Sequence, residues 1–197
     1  MRILIISDVH ANYPALQAVL DSTADYQAAW CLGDLVGYGP DPNECISVVR
    51  SLPNLVCLLG NHDAAVVNRI KLDTFNNEAK NSVLWMQTIL SPENYSFLEN
   101  LIELMDINGI TLAHGSPRNP IWEYILDTVV ARANFNYFEN QLCFVGHTHL
   151  PVGYFYEKNS HQVRWKLIGD KEKIKLNGRA ILNPGSVGQP RDRDNRA

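Results

Sequence analysis

The sequence predicts a layered α/β fold, and three observations carry that expectation. In the first half, short apolar runs suited to buried strands alternate with stretches of helical periodicity. In the second half the helical period gives way to short strands punctuated by turn residues, which implies antiparallel pairing. Most tellingly, each strong strand runs straight into a cluster of Asp, Asn or His, and the carboxyl ends of strands are where α/β sheets bind ligands.

The elements follow in order. Arg2 to Ile6 is an apolar run of strand length, and Leu16, Val19 and Leu20 give residues 13–24 helical spacing. A second strand covers 28–32. Pro42-Asn43 opens a helix running through Ile46, Val49 and Arg50, since proline suits a first helical turn. Residues 54–59 form the third apolar run. This β-α-β-α-β order implies parallel pairing with right-handed crossovers. Residues 64–101 are expected to be largely helical, with one restart at Ser91-Pro92-Glu93. The stretch ELMDINGITLAHG predicts a hairpin around Asn108-Gly109, a pair that accepts the positive φ angles of a tight turn. A helix over about 127–140 and strands over 142–145, 153–156, 163–168, 173–176 and 180–182 complete the reading. No repeat, low-complexity tract or Gly/Ser linker divides the chain, so a single domain over 1–197 is expected.

Composition narrows the function classes. The 197 residues are 46% hydrophobic and 19% charged, an ordinary globular balance with enough chain for a substantial core. A net charge of −4 supplies no global basic field for nucleic acid or an anionic membrane, so any phosphate must be attracted locally. No apolar run is long enough to span a bilayer. The opening MRILIISDVH has one basic residue and no small-residue cleavage site, which does not read as a secretory leader and sets the expectation of a cytoplasmic protein. Cys31, Cys45, Cys57 and Cys143 are widely spaced among apolar neighbours, and are expected to be free thiols acting as small hydrophobes.

The strand-end clusters are Ser7-Asp8-Val9-His10, Gly33-Asp34, Gly60-Asn61-His62-Asp63, Ala113-His114-Gly115 and Gly146-His147-Thr148-His149. Five of the chain's 6 histidines fall in them, leaving His161 outside. Each cluster alone is an ordinary turn. Five converging together are not, because buried polar groups are costly without partners. Asp8 and His10, like His147 and His149, stand two apart, so on an extended segment both would project to one side. The donors are nitrogen and oxygen without sulfur, which suits Mn, Fe, Ni, Co or Zn. Asp8, His10, Asp34, Asn61, His114, His147 and His149 are too many ligands for one tetrahedral ion. They suit a pair about 3.5–4 Å apart, as used for displacement at phosphorus. Asp8 and Asp34 are the only anionic ligands among them, so two divalent ions leave residual positive charge that welcomes an anionic substrate.

The series DVH, GD, GNHD, H and GHTH, in this order and each after a strand, resembles the calcineurin-like metallophosphoesterases, nearest to their small prokaryotic phosphodiesterase-like branch. The resemblance runs from Met1 to about Gly188. It implies a four-layer α/β/β/α sandwich with two mixed sheets and a dinuclear site at the strand ends. It also implies that one metal takes Asp8, His10 and His149, that the other takes Asn61, His114 and His147, and that Asp34 bridges them. His62 would then be catalytic, protonating the departing oxygen or stabilising the transition state, with Asp63 orienting its ring. The implied reaction is attack of a metal-bridging hydroxide on a phosphoester, a phosphodiester in particular. The implied partner is a small phosphoester or a nucleotide.

Departures from the family pattern shape the rest. The protein-phosphatase and symmetrical dinucleoside polyphosphatase branches continue as G-D-x-x-D-R-G, whereas this chain reads GDLVGYGPDP. Their phosphate-gripping arginine is missing, which ranks Ser/Thr phosphatase or monoesterase activity below diesterase activity. Arg118, Tyr38 and Arg191 are the substrate-side residues that remain, with Asn183 and Ser186 of the NPGS stretch as weaker additions. Family chains continue past NPGS with a further strand, so an exposed sheet edge at 180–182 is expected, and with it self-association. A catalytically silent scaffold of the same fold is the rival from another class.

Overall fold

The computed structural model describes residues 1–193, and over them the chain forms two stacked sheets with helices outside both. Strands β1 (Ile3–Ile6), β2 (Ala28–Cys31) and β3 (Val56–Cys57) make a parallel sheet in the order β1-β2-β3. Helices α1 (Tyr13–Ser22) and α2 (Pro42–Arg50) are the crossovers between them. The last three residues of GNHD open α3 (Asn61–Val66), followed by α4 (Asn77–Ile89) and α5 (Pro92–Glu99). The restart read at Ser91 is real: its hydroxyl caps α5 by accepting from the Asn94 N–H at 3.2 Å.

The second sheet has six strands: β4 (Leu104–Ile107), β5 (Ile110–Ala113), β6 (Leu142–Phe144), β7 (Pro151–Glu157), β8 (Gln162–Leu167) and β9 (Ala180–Pro184). Their order is β4-β5-β6-β9-β7-β8, with β5, β6 and β9 parallel and the rest antiparallel. Asn108 and Gly109, at φ 52° and 76°, make the tight β4–β5 turn expected of that pair. This sheet is mixed, whereas the three-stranded sheet is wholly parallel among the described residues.

Strand alternation builds the layers. Ile3, Ile5, Trp30, Leu32, Val56 and Leu58 face Leu112, Met105, Ile107, Ile110 and Phe144 across the gap between sheets. Ile6, Cys31 and Leu59 pack the other way, against Leu16, Ile46, Val49, Met86 and Leu98 of the helices. On the far side, Ala131 of α6 (Thr128–Asn134), with Phe135 and Phe138 after it, covers Cys143, Val152, Tyr154 and Ile181. Three apolar interfaces between four layers are the α/β/β/α sandwich. No helix among the described residues is long and apolar enough to cross a membrane.

Four expectations are corrected. Residues 173–176 form no strand: β7 is already paired on both sides, and Lys173 and Lys175 are exposed. The helix expected to reach 140 ends at Asn134, where Asn136 and Tyr137 form tighter three-residue bonds that swing Phe138 into the core. The third strand is shorter than read, Leu58 making only a bridge to Ile102. Finally, 180–182 is not an edge, because β9 lies between β6 and β7 and is buried. That removes the basis for self-association drawn from it.

Candidate metal centre

All five clusters meet at one end of the sandwich. Asp8 and His10 follow β1, Asp34 follows β2, and Asn61, His62 and Asp63 open α3 after β3. His114 follows β5, and His147 and His149 follow β6. All are buried, from 0% exposed for Asp8 and His114 to 5% for His62. They are not on extended segments. Asp8, His10, Asp34, His147 and His149 have φ of 54°, 49°, 53°, 65° and 60°, so the D-x-H and H-x-H ligands converge through left-handed kinks rather than strand alternation. Such backbone is strained for residues other than glycine and clusters at functional sites.

The kinks are locked by hydrogen bonds between the loops. Asp8 N–H donates to Gly33 at 3.0 Å, His10 N–H to Asp34 at 2.9 Å and Gly146 N–H to His114 at 2.7 Å. Two glycines make this close approach feasible. A Cβ on Gly60 would strike the backbone and carboxylate of Asp34, and one on Gly146 would strike Ser7 Oγ and Asp8 Oδ2.

Each side chain is aimed. The Nδ1–H of His10 donates to Val36 O at 3.0 Å, that of His114 to Leu32 O at 3.0 Å and that of His149 to Gln189 O at 2.6 Å. A carbonyl only accepts, so these bonds place a proton on Nδ1 and turn Nε2 inward as the atom available to a metal. The carboxylates divide their oxygens similarly. Asp8 Oδ2 accepts from His147 N–H at 3.1 Å and Asp34 Oδ1 from His62 N–H at 2.8 Å, leaving Asp8 Oδ1 and Asp34 Oδ2 pointing to the middle.

Two groups result. In the first, Asp8 Oδ1 lies 3.1 Å from His149 Nε2, and that nitrogen lies 3.1 Å from His10 Nε2. In the second, His114 Nε2 lies 3.2 Å from both Asn61 Oδ1 and His147 Nδ1. Asp34 Oδ2 stands between them, 3.7 Å from His10 Nε2 and 3.4 Å from His114 Nε2. Lone pairs facing each other at such distances repel unless a cation or proton lies between. Asp8 Oδ1 and His147 Nε2 also lack a hydrogen-bond partner in the protein. The donor set therefore fits two divalent cations sharing Asp34.

Electrostatics agree. Burial drives the pKa values of His10 and His147 down to about 3, keeping both rings neutral, as ligands must be. Burial acts the same way on His114, but the Asp34 carboxylate overcomes it and lifts that pKa to about 9. Burial alone would raise Asp8 and Asp34. The His149 and His114 rings close to Asp8 and the His114 charge beside Asp34 instead hold both well below the usual carboxylate range. A proton is standing in for a cation.

His62 sits beside this assembly. Its ring is 4.9 Å from that of His10, centre to centre, and its Nδ1 is buried without a hydrogen-bond partner. One of its nitrogens is within 4.8 Å of the ligand atoms of His10 and Asp34. Asp63 does not orient it, contrary to expectation. Its Oδ1 accepts from Val36 N–H at 3.1 Å and its Oδ2 from Gly60 N–H at 3.0 Å, so Asp63 braces the loops that carry Asp34 and Asn61. Packing by Tyr38, Phe75 and Gly37 holds His62 in place instead.

The substrate-side readings divide. Tyr38 lies against both His10 and His62, with centroids 5.0 and 4.8 Å apart. Arg191 hydrogen bonds Tyr124, which is stacked on His147. Arg118 is not free to meet an anion: its guanidinium is held by Glu123, with Nε 3.0 Å from Oε1. Asn183 and Ser186 are structural ties, the first donating to Gly146 O at 2.6 Å and the second to Asp8 O at 2.8 Å. His161 bonds Tyr156 far along β7, outside the cluster. Phe75, Trp122 and Tyr124, which the sequence reading missed, also reach this face. Their only signal was aromatic residues in polar loops.

Comparison with known proteins gives the same picture. The family model described as a calcineurin-like phosphoesterase superfamily domain matches residues 1–197. A protein of Methanocaldococcus jannaschii named only as uncharacterized, MJ0912, is 39% identical over 202 residues, covering 99% of this chain and 79% of its own. The crystal structure of a metallophosphoesterase from Sphaerobacter thermophilus superposes with a TM-score of 0.88 at 47% identity, over 98% of this chain and 80% of that one. A symmetrical bis(5′-nucleosyl)-tetraphosphatase of Baumannia cicadellinicola is 28% identical over 141 residues, 68% of this chain and only 48% of the relative. With its full set of buried nitrogen and oxygen donors, the chain belongs to the calcineurin-like phosphoesterase superfamily, whose members are metal-dependent phosphoester hydrolases.

Proposed function

We propose that the protein hydrolyses phosphodiesters with two divalent ions, Mn, Fe, Ni, Co or Zn, and that His62 is its catalytic side chain. The observation that supports this most directly is the pair of donor groups sharing Asp34, with an unengaged imidazole beside them. Asp8, His10 and His149 would hold one ion, and Asn61, His114 and His147 the other. When bound, the ions supply Lewis-acid polarisation of the phosphoryl group and acidify water.

The protein's own residues do the rest. Two carboxylates against two divalent ions leave the site positive, which draws an anionic substrate to an acidic protein. Burial lowers the pKa of His62, so the ring is neutral at pH 7 and acts by donating an N–H hydrogen bond to the departing oxygen, stabilising the charge that develops there. With Arg118 engaged by Glu123, that arginine offers a monoester dianion no clamp, and this favours the singly charged diester. A reducing, cytoplasmic setting suits the four free cysteines.

The test is His62→Ala with metal analysis and assays on aryl phosphodiesters and monoesters. Turnover should fall about 10²–10⁴-fold while two ions per chain are kept. Wild-type protein that holds two ions but hydrolyses no phosphoester would favour a silent scaffold.

A further inference from the structure

Six rings run without a break around the mouth of the metal centre. Tyr38 lies against His62, with centroids 4.8 Å apart, and His62 meets Phe75 edge-on at 5.1 Å. Phe75 meets Trp122 at 5.1 Å, and Trp122 meets His147 at 6.4 Å. Tyr124 then stacks on His147 nearly face to face, at 3.8 Å and 23°. Two rings in this circuit are histidines already assigned to metal or catalysis. The other four come from separate parts of the chain: Tyr38 after β2, Phe75 before α4, and Trp122 and Tyr124 between β5 and α6.

Core packing accounts for one side of Phe75 and Trp122, which lie against the buried cluster, but not for Tyr124. Tyr124 stacks one face on His147 yet is still 42% exposed, so much of its remaining surface is open to a ligand. Phe75 and Trp122 are only partly buried. The hydroxyl of Tyr124 is hydrogen bonded to Arg191, which adds a cation at the same rim. A flat, open aromatic face beside an anion-attracting centre fits a ligand in which a phosphoester is joined to a planar aromatic group. Base–aromatic stacking contributes about 1–3 kcal/mol per base and depends little on which base is stacked.

We propose that Tyr124 and Trp122 form a nucleobase-stacking subsite, so that the substrates are nucleoside phosphoesters held by the base on this rim and by the phosphate at the metals. This rests on the phosphodiesterase reading above for the phosphate half alone.

Binding is tested first without metal or turnover. Tryptophan fluorescence of the metal-free protein is titrated with adenosine 5′-monophosphate and with ribose 5-phosphate. Quenching is expected from the nucleotide and not the sugar phosphate, and should vanish in Trp122→Phe, which keeps a ring there but removes the reporter. In the metal-loaded protein, kcat/KM is compared for the methyl esters of the same two compounds. Tyr124→Leu should reduce the preference for the adenosine compound about tenfold with two ions per chain retained, and Tyr124→Phe should retain most of it. Equal binding of the two phosphates by wild type, or an unchanged preference in both Tyr124→Leu and Trp122→Leu, would overturn the subsite. Base-dependent binding without hydrolysis of either ester would uphold it and overturn the phosphodiesterase reading alone.

Discussion

At the residue scale, the site is a set of side chains each holding one polar atom back. His10, His114 and His149 give one nitrogen to a backbone carbonyl and turn the other inward, while Asp8 and Asp34 give one oxygen to a backbone N–H. His114 carries a measurable consequence. Burial pushes its pKa down, but the Asp34 charge overcomes this and lifts it to about 9, so it is protonated at pH 7 in the metal-free protein and must lose that proton to become a ligand. A folded-state pKa raised above the ordinary value means that protons compete with metal up to about pH 9 and affinity rises with pH below it. Calorimetric titration with Zn at pH 7, in two buffers of different ionisation enthalpy, should show about one proton released from His114 per chain. No release would contradict the arrangement. Residue identities were legible in the sequence because ligand chemistry admits few side-chain types. The role of Asp63 was not, since a carboxylate beside a histidine in sequence is equally placed to cap a helix, and at the third position of α3 it does.

At the element scale, the strand–loop–helix joints carry the function, and here the sequence was legible in kind but not in geometry. The alternation of Ile3 and Ile5 against Leu4 and Ile6 announced a strand buried on both faces, and Asn108-Gly109 announced the β4–β5 hairpin. The left-handed kinks at Asp8, His10, His147 and His149 could not be read, because only contacts distant in sequence sustain backbone that these residues avoid locally. The β5–α6 connection shows the same limit. Its Arg118 looked like a phosphate ligand by proximity to His114, yet Glu123 gathers Arg118, Ser116 and Asn134 into one network that shapes the loop. Arg118→Ala should therefore change kcat/KM less than threefold in steady-state assays. A fall of a hundredfold would return that arginine to the substrate.

At the scale of the whole molecule, layer order follows from which faces are apolar, and it was legible up to the last strand. The position of β9 was not, because a strand's neighbours are set by the path of the whole sheet rather than by its own residues. That path brings two sheets to one mouth, and each proposed ion draws on both. Asp8 and His10 come from the parallel sheet and His149 from the mixed one; Asn61 comes from the first, and His114 and His147 from the second. The proposed ions would thus be rivets through the sandwich. The gap they would close is otherwise held by apolar packing around Trp30, Leu58 and Leu112 and by hydrogen bonds such as His114 to Leu32 O and His147 N–H to Asp8. A ligand at 100 times its Kd stabilises by about 2.7 kcal/mol, so stripping both ions with a chelator should lower Tm by about 5–10 °C per site. A scan showing equal Tm with and without chelator would refute it. Metal supply would then govern how long the folded chain survives as well as how fast it turns over substrate, and a cell short of the ion would lose the protein along with its activity.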